Sequence, residues 1–198
     1  MNRILSLTSF CLALGLGTAA HALVSFGVKA GGSYSKHSVN GVSGSGDSKF
    51  GVGYQAGGSL QAGALGFGAL VDVLYAQRAY GSSADLYKWK EDSLLVPVQV
   101  RYAVIPLVSV TAGGYVAMGL GDSFSADDPA RAASYTGSTP DVKKLDYGAV
   151  FGLQFTLPLG AMTLTVEPRY YWGFVNRLDS SSAELKMNSA DLLVGLEF

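Results

Sequence analysis

Residues 162–174 read MTLTVEPRYYWGF, and they divide by parity. Met162, Leu164, Val166, Pro168, Tyr170, Trp172 and Phe174 are apolar or aromatic, whereas Thr163, Thr165, Glu167, Arg169, Tyr171 and Gly173 are mostly polar. Successive side chains of a strand point to opposite faces, so this period of two predicts a strand with one greasy and one wet face. The same alternation recurs seven times. Residues 26–34 set Phe26, Val28, Ala30, Gly32 and Tyr34 against Lys29, and 52–62 set Val52, Tyr54, Ala56 and Leu60 against Gln55, Ser59 and Gln61. Residues 67–78 set Phe67, Ala69, Val71, Val73 and Tyr75 against Asp72 and Arg78, and 93–102 set Leu94, Val96, Val98, Val100 and Tyr102 against Gln99 and Arg101. The pattern continues over 108–118, over 145–157 with Asp146 and Gln154 on the polar side, and over 190–198 with Asp191 and Glu197.

Eight predicted strands of roughly ten residues match the length that crosses a bilayer when tilted. Their connections alternate. The joints at 63–66, 103–107 and 158–161 are tight, while 35–49, 79–90, 120–144 and 176–186 are longer and polar. Short turns at one end and long loops at the other predict an antiparallel up-and-down meander. Beyond the N-terminal segment no apolar run reaches the 18–20 residues of a spanning helix, and no helical period is sustained.

Which face lies inside is decided by composition. Charged residues are only 15% of the chain, against a usual value of about 25%, while hydrophobic residues are 48% and glycines number 26. The polar faces hold Gly, Ser, Thr and Gln with isolated charges, too few for a solvated surface. Aromatics gather at predicted strand ends: Tyr34, Phe50, Tyr75, Tyr147, Trp172 and Phe174 toward the long loops, and Phe67, Tyr102, Phe155 and Phe198 toward the short turns. Such girdles mark the interfaces of a barrel in lipid. The expected fold is all-β: an eight-stranded antiparallel up-and-down transmembrane β-barrel with a polar lumen. Inside it, Lys29, Gln55, Asp72, Gln99, Arg101, Gln154, Glu167, Arg169 and Asp191 are expected to form a luminal polar network. Counted from the short turns, Lys29 should meet Asp191, and Asp191 should meet Glu167 or Arg169. Buried charges persist only when paired, so the network reads as a structural plug.

Residues 1–22 read as a cleaved secretory signal peptide: Arg3, an apolar stretch, then Ala20-His21-Ala22 as an A-x-A site. Residues 23–198 form the barrel domain. Cys11 is the only cysteine and falls in the signal, which excludes disulfides and thiol chemistry from the remainder.

The C-terminal stretch DLLVGLEF closes an alternating strand on Phe198. With the eight strands, this resembles the small outer-membrane barrels of the OmpX and OmpA membrane-domain type. The resemblance implies a Gram-negative outer membrane, termini in the periplasm, loops outside, and Phe198 as the signal read by the outer-membrane assembly machinery. It does not fix one function.

Candidate chemistry is sparse. His37, with Asp47 as its orienter, is the one base available to a lipid-modifying enzyme, and no nucleophile-elbow sequence accompanies it. GVGYQA (51–56) has nucleotide-fingerprint spacing, but no helix follows it. Neither a metal site nor a cofactor is expected, and a net charge of −1 offers nothing to nucleic acid. The expectation is a non-enzymatic monomeric barrel in the lipid bilayer. It would serve envelope structure or an extracellular partner met through the loops. The alternatives are a conduit for small or hydrophobic molecules and a lipid-modifying enzyme.

Overall fold

The computed structural model describes residues 23–40, 48–49, 51–82, 87–126, 144–175 and 184–198. The predicted signal peptide, Asp47, Phe50 and most of the long connections lie outside the described residues. Eight strands form the wall: β1 (Leu23–Asn40), β2 (Gly51–Ala64, with Ser48–Lys49 continuing beside β3), β3 (Phe67–Ser82), β4 (Tyr87–Ile105), β5 (Val108–Ala126), β6 (Leu145–Leu159), β7 (Met162–Gly173) and β8 (Glu184–Glu197). Each pairs antiparallel with its neighbours in the chain, and β8 pairs with β1 from Gly27↔Glu197 to Asn40↔Glu184, so the sheet closes without an edge. The described residues contain no helix.

The register fixes the shape. Followed across neighbouring strands, Leu23 leads to Gly63, Gly68, Arg101, Thr111, Gly152, Arg169 and Asp191, and returns to β1 at Ser33. One circuit therefore climbs ten residues. For eight strands that stagger corresponds to a tilt of about 43°, so each residue rises about 2.4 Å along the barrel axis.

The greasy face is outside. Phe26, Val28, Val73, Val98, Val100, Leu192 and Val194 are exposed, while Lys29, Gln55, Asp72, Gln99, Gln154, Glu167, Arg169 and Asp191 are at most 4% exposed. This inversion is what a barrel in lipid requires. Tyr34, Tyr75, Tyr102, Tyr147, Trp172, Phe174 and Phe198 all point outward. Several pack in pairs, such as Phe67 with Tyr102 at 4.9 Å and Trp172 with Phe174 at 5.9 Å.

The strands outrun the alternation toward the long-loop end. Of residues 79–90, expected to be a loop, 79–82 and 87–90 belong to β3 and β4, with Ala79 opposite Lys90 and Tyr80 opposite Trp89, while 83–86 lie outside the described residues. His37, expected in a loop, lies within β1 opposite Met187.

Candidate functional site

The centre of the lumen is a closed ring of four charges. Glu167 and Arg169 are two residues apart on β7, so both point inward. Lys29 lies on β1, two strands from β7. It reaches across Gly195 of β8, where no side chain stands in its way, to bring Nζ within 2.8 Å of Glu167 Oε1. The same Nζ is 3.3 Å from Asp72 Oδ1 on β3. Arg169 closes the ring: one terminal nitrogen is 2.6 Å from Asp72 Oδ2, the other pairs with Glu167, and Nε donates to Glu167 Oε2 at 3.0 Å. Two cations and two anions alternate, every side chain is at most 1% exposed, and the charge sums to zero. In a low-dielectric interior that alternation offsets desolvation, which costs several kcal/mol for each ion left alone (order of magnitude).

Asp191 does not join this ring. Its partners are hydrogen-bond donors: Ser33 Oγ at 2.7 Å and Gln55 Nε2 at 2.8 Å. The expected Lys29–Asp191 pair fails because of the stagger. Glu197 pairs with Gly27, four residues above the start of β1, so Lys29 is level with Gly195 and Asp191 with Ser33. Asp191 does sit opposite Arg169 on the β7–β8 ladder, yet Arg169 turns toward Glu167 and Asp72. Gln154 supports the ring from the short-turn side, its amide nitrogen 3.1 Å from Glu167 Oε1, 3.2 Å from Gln61 Oε1 and 3.4 Å from Glu197 Oε1. Gln99 is buried beside Leu70 and outside the ring. Arg101 is half-buried near the short turns, level with Thr111.

Next to the ring lies an apolar cluster of which the alternation marked only the tyrosines as inward. Leu74, Leu95, Tyr115, Val150, Tyr171 and Leu193 point inward and are at most 3% exposed. Leu74 faces Leu95, Val150 faces Tyr171, and Tyr115 meets Tyr171 edge-on at 5.3 Å. Leu74 and Tyr171 each follow a ring member, Asp72 and Arg169, by two residues. Beyond this cluster Tyr115 donates to Asp146 Oδ2 at 3.1 Å, and the Arg78 guanidinium stands 5.8 Å above the Tyr171 ring. Leu193 is level with Glu167 of the ring, and at the height of the other five Asp191, Ser33 and Gln55 hold the remaining wall, so above the ring the lumen is apolar on one side and polar on the other. Among the described residues no group of three or more His, Cys, Asp or Glu is placed to hold a metal ion.

A closed eight-stranded barrel, apolar outside and filled with paired charges within, defines the class as a transmembrane β-barrel. The chain matches the outer membrane protein β-barrel domain over residues 19–179 and belongs to that family. Its fold is similar to that of Neisserial surface protein A, with 14% identity, a TM-score of 0.50, and 87% of this chain and 95% of that chain covered. It is also similar to that of OprG from Pseudomonas aeruginosa, with 13% identity, a TM-score of 0.52, and 90% and 98% covered. Among curated proteins no sequence match is found. The protein is an outer-membrane β-barrel.

Proposed function

We propose that this protein is a non-conducting, non-enzymatic barrel that carries its long loops on the cell surface, for contact with an extracellular partner or for envelope integrity. The observation that carries this reading is the four-charge ring of Lys29, Asp72, Glu167 and Arg169, which spans the lumen where a solute would pass. An eight-stranded barrel has an interior just wide enough for side chains to fill, and here buried side chains fill it at and above the ring. The loop-bearing end is outward on this reading, both chain ends are periplasmic, residues 1–22 are removed on export, and the barrel acts as a monomer. The test is conductance in planar bilayers. The purified protein should give no stable single-channel steps. Reproducible ohmic steps would promote the conduit reading instead.

A further inference from the structure

The short-turn end carries a feature that a plugged, loop-displaying barrel does not need. None of the residues 62–68, 103–108 or 157–163 is charged. Leu65 at the β2–β3 turn is 81% exposed, and Val104, Ile105, Leu107, Leu159 and Met162 are exposed as well. Leu65 also sits in an unfavourable conformation. Its φ is 54°, followed by 84° at Gly66, so the hairpin has positive φ at both central residues. That turn favours Asn, Asp or Gly at its first central position, where a leucine side chain crowds its own backbone. A tip standing in water would gain twice from a polar residue there, in solvation and in turn geometry.

The heights supply the reason for leucine. Phe26, Phe67, Tyr102, Phe155 and Phe198 form the girdle at this end. Leu65 lies two residues beyond Phe67, Ile105 three beyond Tyr102, and Leu159 four beyond Phe155. At about 2.4 Å of rise per residue the tips reach about 5–10 Å past the girdle, which is about the thickness of one headgroup layer. No polar collar separates the tips from the lipid-facing wall, whereas a protein-docking patch has a polar rim. The cap is continuous with the surface the bilayer already covers.

We infer that the three short turns end inside the headgroup layer of the leaflet they face and are covered by phospholipid, so that the barrel is anchored at this end by apolar tips instead of protruding into water. It rests on the proposed orientation, which turns this end to the periplasmic, phospholipid leaflet, and it stands apart from the plug.

The experiment is depth-resolved fluorescence quenching. The only native cysteine, Cys11, lies outside the barrel. Single cysteines at Leu65→Cys, Leu107→Cys and Leu159→Cys take an environment-sensitive dye on protein reconstituted in phosphatidylcholine vesicles at high lipid-to-protein ratio. Lys90→Cys, exposed toward the long-loop end, is the aqueous reference and Val98→Cys the mid-wall reference. Folding is checked by heat-modifiable gel mobility, and three sites keep the test alive if one variant misfolds. The tips should be quenched by iodide several-fold less than Lys90→Cys. They should be quenched more by a spin label near the lipid headgroup than by one near the acyl terminus, the reverse of Val98→Cys. Iodide quenching equal to that of Lys90→Cys would overturn the inference. So would shielding that arises only as the protein-to-lipid ratio rises, since a second copy would then be the cover.

Discussion

Gly195 stands directly across the ladder from Lys29, and a Cβ on it would lie 2.9 Å from Lys29 Cγ and 2.6 Å from Thr165 Oγ1. The arrangement recurs. Arg169 faces Gly152, Tyr115 faces Gly148 and Glu197 faces Gly27, and a Cβ on each glycine would come within 2.8–3.1 Å of the long side chain opposite. Each large inward residue lies over a neighbouring strand that has given up its side chain. In a lumen this narrow, that is how two full-length cations reach the same two carboxylates.

Gly195→Ala should therefore push the Lys29 stem out of place and cost about 1–3 kcal/mol, the usual penalty of overpacking. The urea midpoint in lipid vesicles reads it. Gly32→Ala is the control. Gly32 faces outward, the nearest atom to an added Cβ is 4.0 Å away, and its substitution should leave the midpoint unchanged or raise it.

Lys29→Met leaves Asp72 and Glu167 to share Arg169 alone. Breaking a buried pair on one side costs about 3–5 kcal/mol, and adding Asp72→Asn should recover part of it because the remaining charges again balance. Asp191→Asn should cost less than either single ring variant, since no ring cation pairs with it. A cycle in which Lys29→Met and Asp72→Asn are additive would show that the ring does not act as a unit.

The strands and the inversion were legible because a wall with lipid on one side and a filled lumen on the other enforces parity at every position. The ladder at 79–82 and 87–90 was not. Toward the long-loop end Lys90 and Asp92 put polar groups on the outward face while Arg78 and Glu91 stay buried on the inward one, so charge falls on both parities and the alternation that marks a strand is lost. The ring members were legible as isolated charges of the right parity, but their partners depend on the stagger, which no single strand encodes. Leu70 and Leu74 share the parity of Asp72, yet within ALVDVLYA they read as more of the greasy face. Inward glycines were visible from the start. What they make room for follows only once Gly195 is known to face Lys29.

Phe198 closes the seam between the ends of the chain. Its N–H donates to the Phe26 carbonyl at 2.8 Å, it accepts from Phe26 N–H at 3.3 Å, and the two rings stack at 6.0 Å. Deleting Phe198 should lower the amount of heat-modifiable barrel in the outer membrane several-fold while export across the inner membrane continues. Phe198→Ala keeps the backbone bonds and loses only the ring. If the assembly machinery reads the ring, both variants fail alike. A mild Phe198→Ala phenotype would assign the effect to seam closure.

The orientation is checked on intact cells. Cysteines at Ser45 and Ser181, both outside the described residues, should react with an impermeant thiol reagent before the outer membrane is broken. Labelling only after disruption would reverse the barrel.

The final prediction is that the lumen carries two seals in series. The charge ring is one. The packed side chains above it are the other: Leu74, Leu95, Tyr115, Val150 and Tyr171 on one side of the lumen and Asp191, Ser33 and Gln55 on the opposite side. Side chains packed to contact in so narrow a lumen leave no room for a file of water even without the ring. The ring can also be removed in balance, as Lys29→Met with Glu167→Gln and Arg169→Met with Asp72→Asn, so that no stranded ion draws water inward. Such a barrel should fold and should still give no stable conductance in a planar bilayer. Leu74→Ser with Leu95→Ser should likewise stay closed, because the ring is intact. Only the combination should show steps above baseline. Conductance from the ring-free barrel alone would deny the side chains above the ring a sealing role and leave the four charges as the only seal.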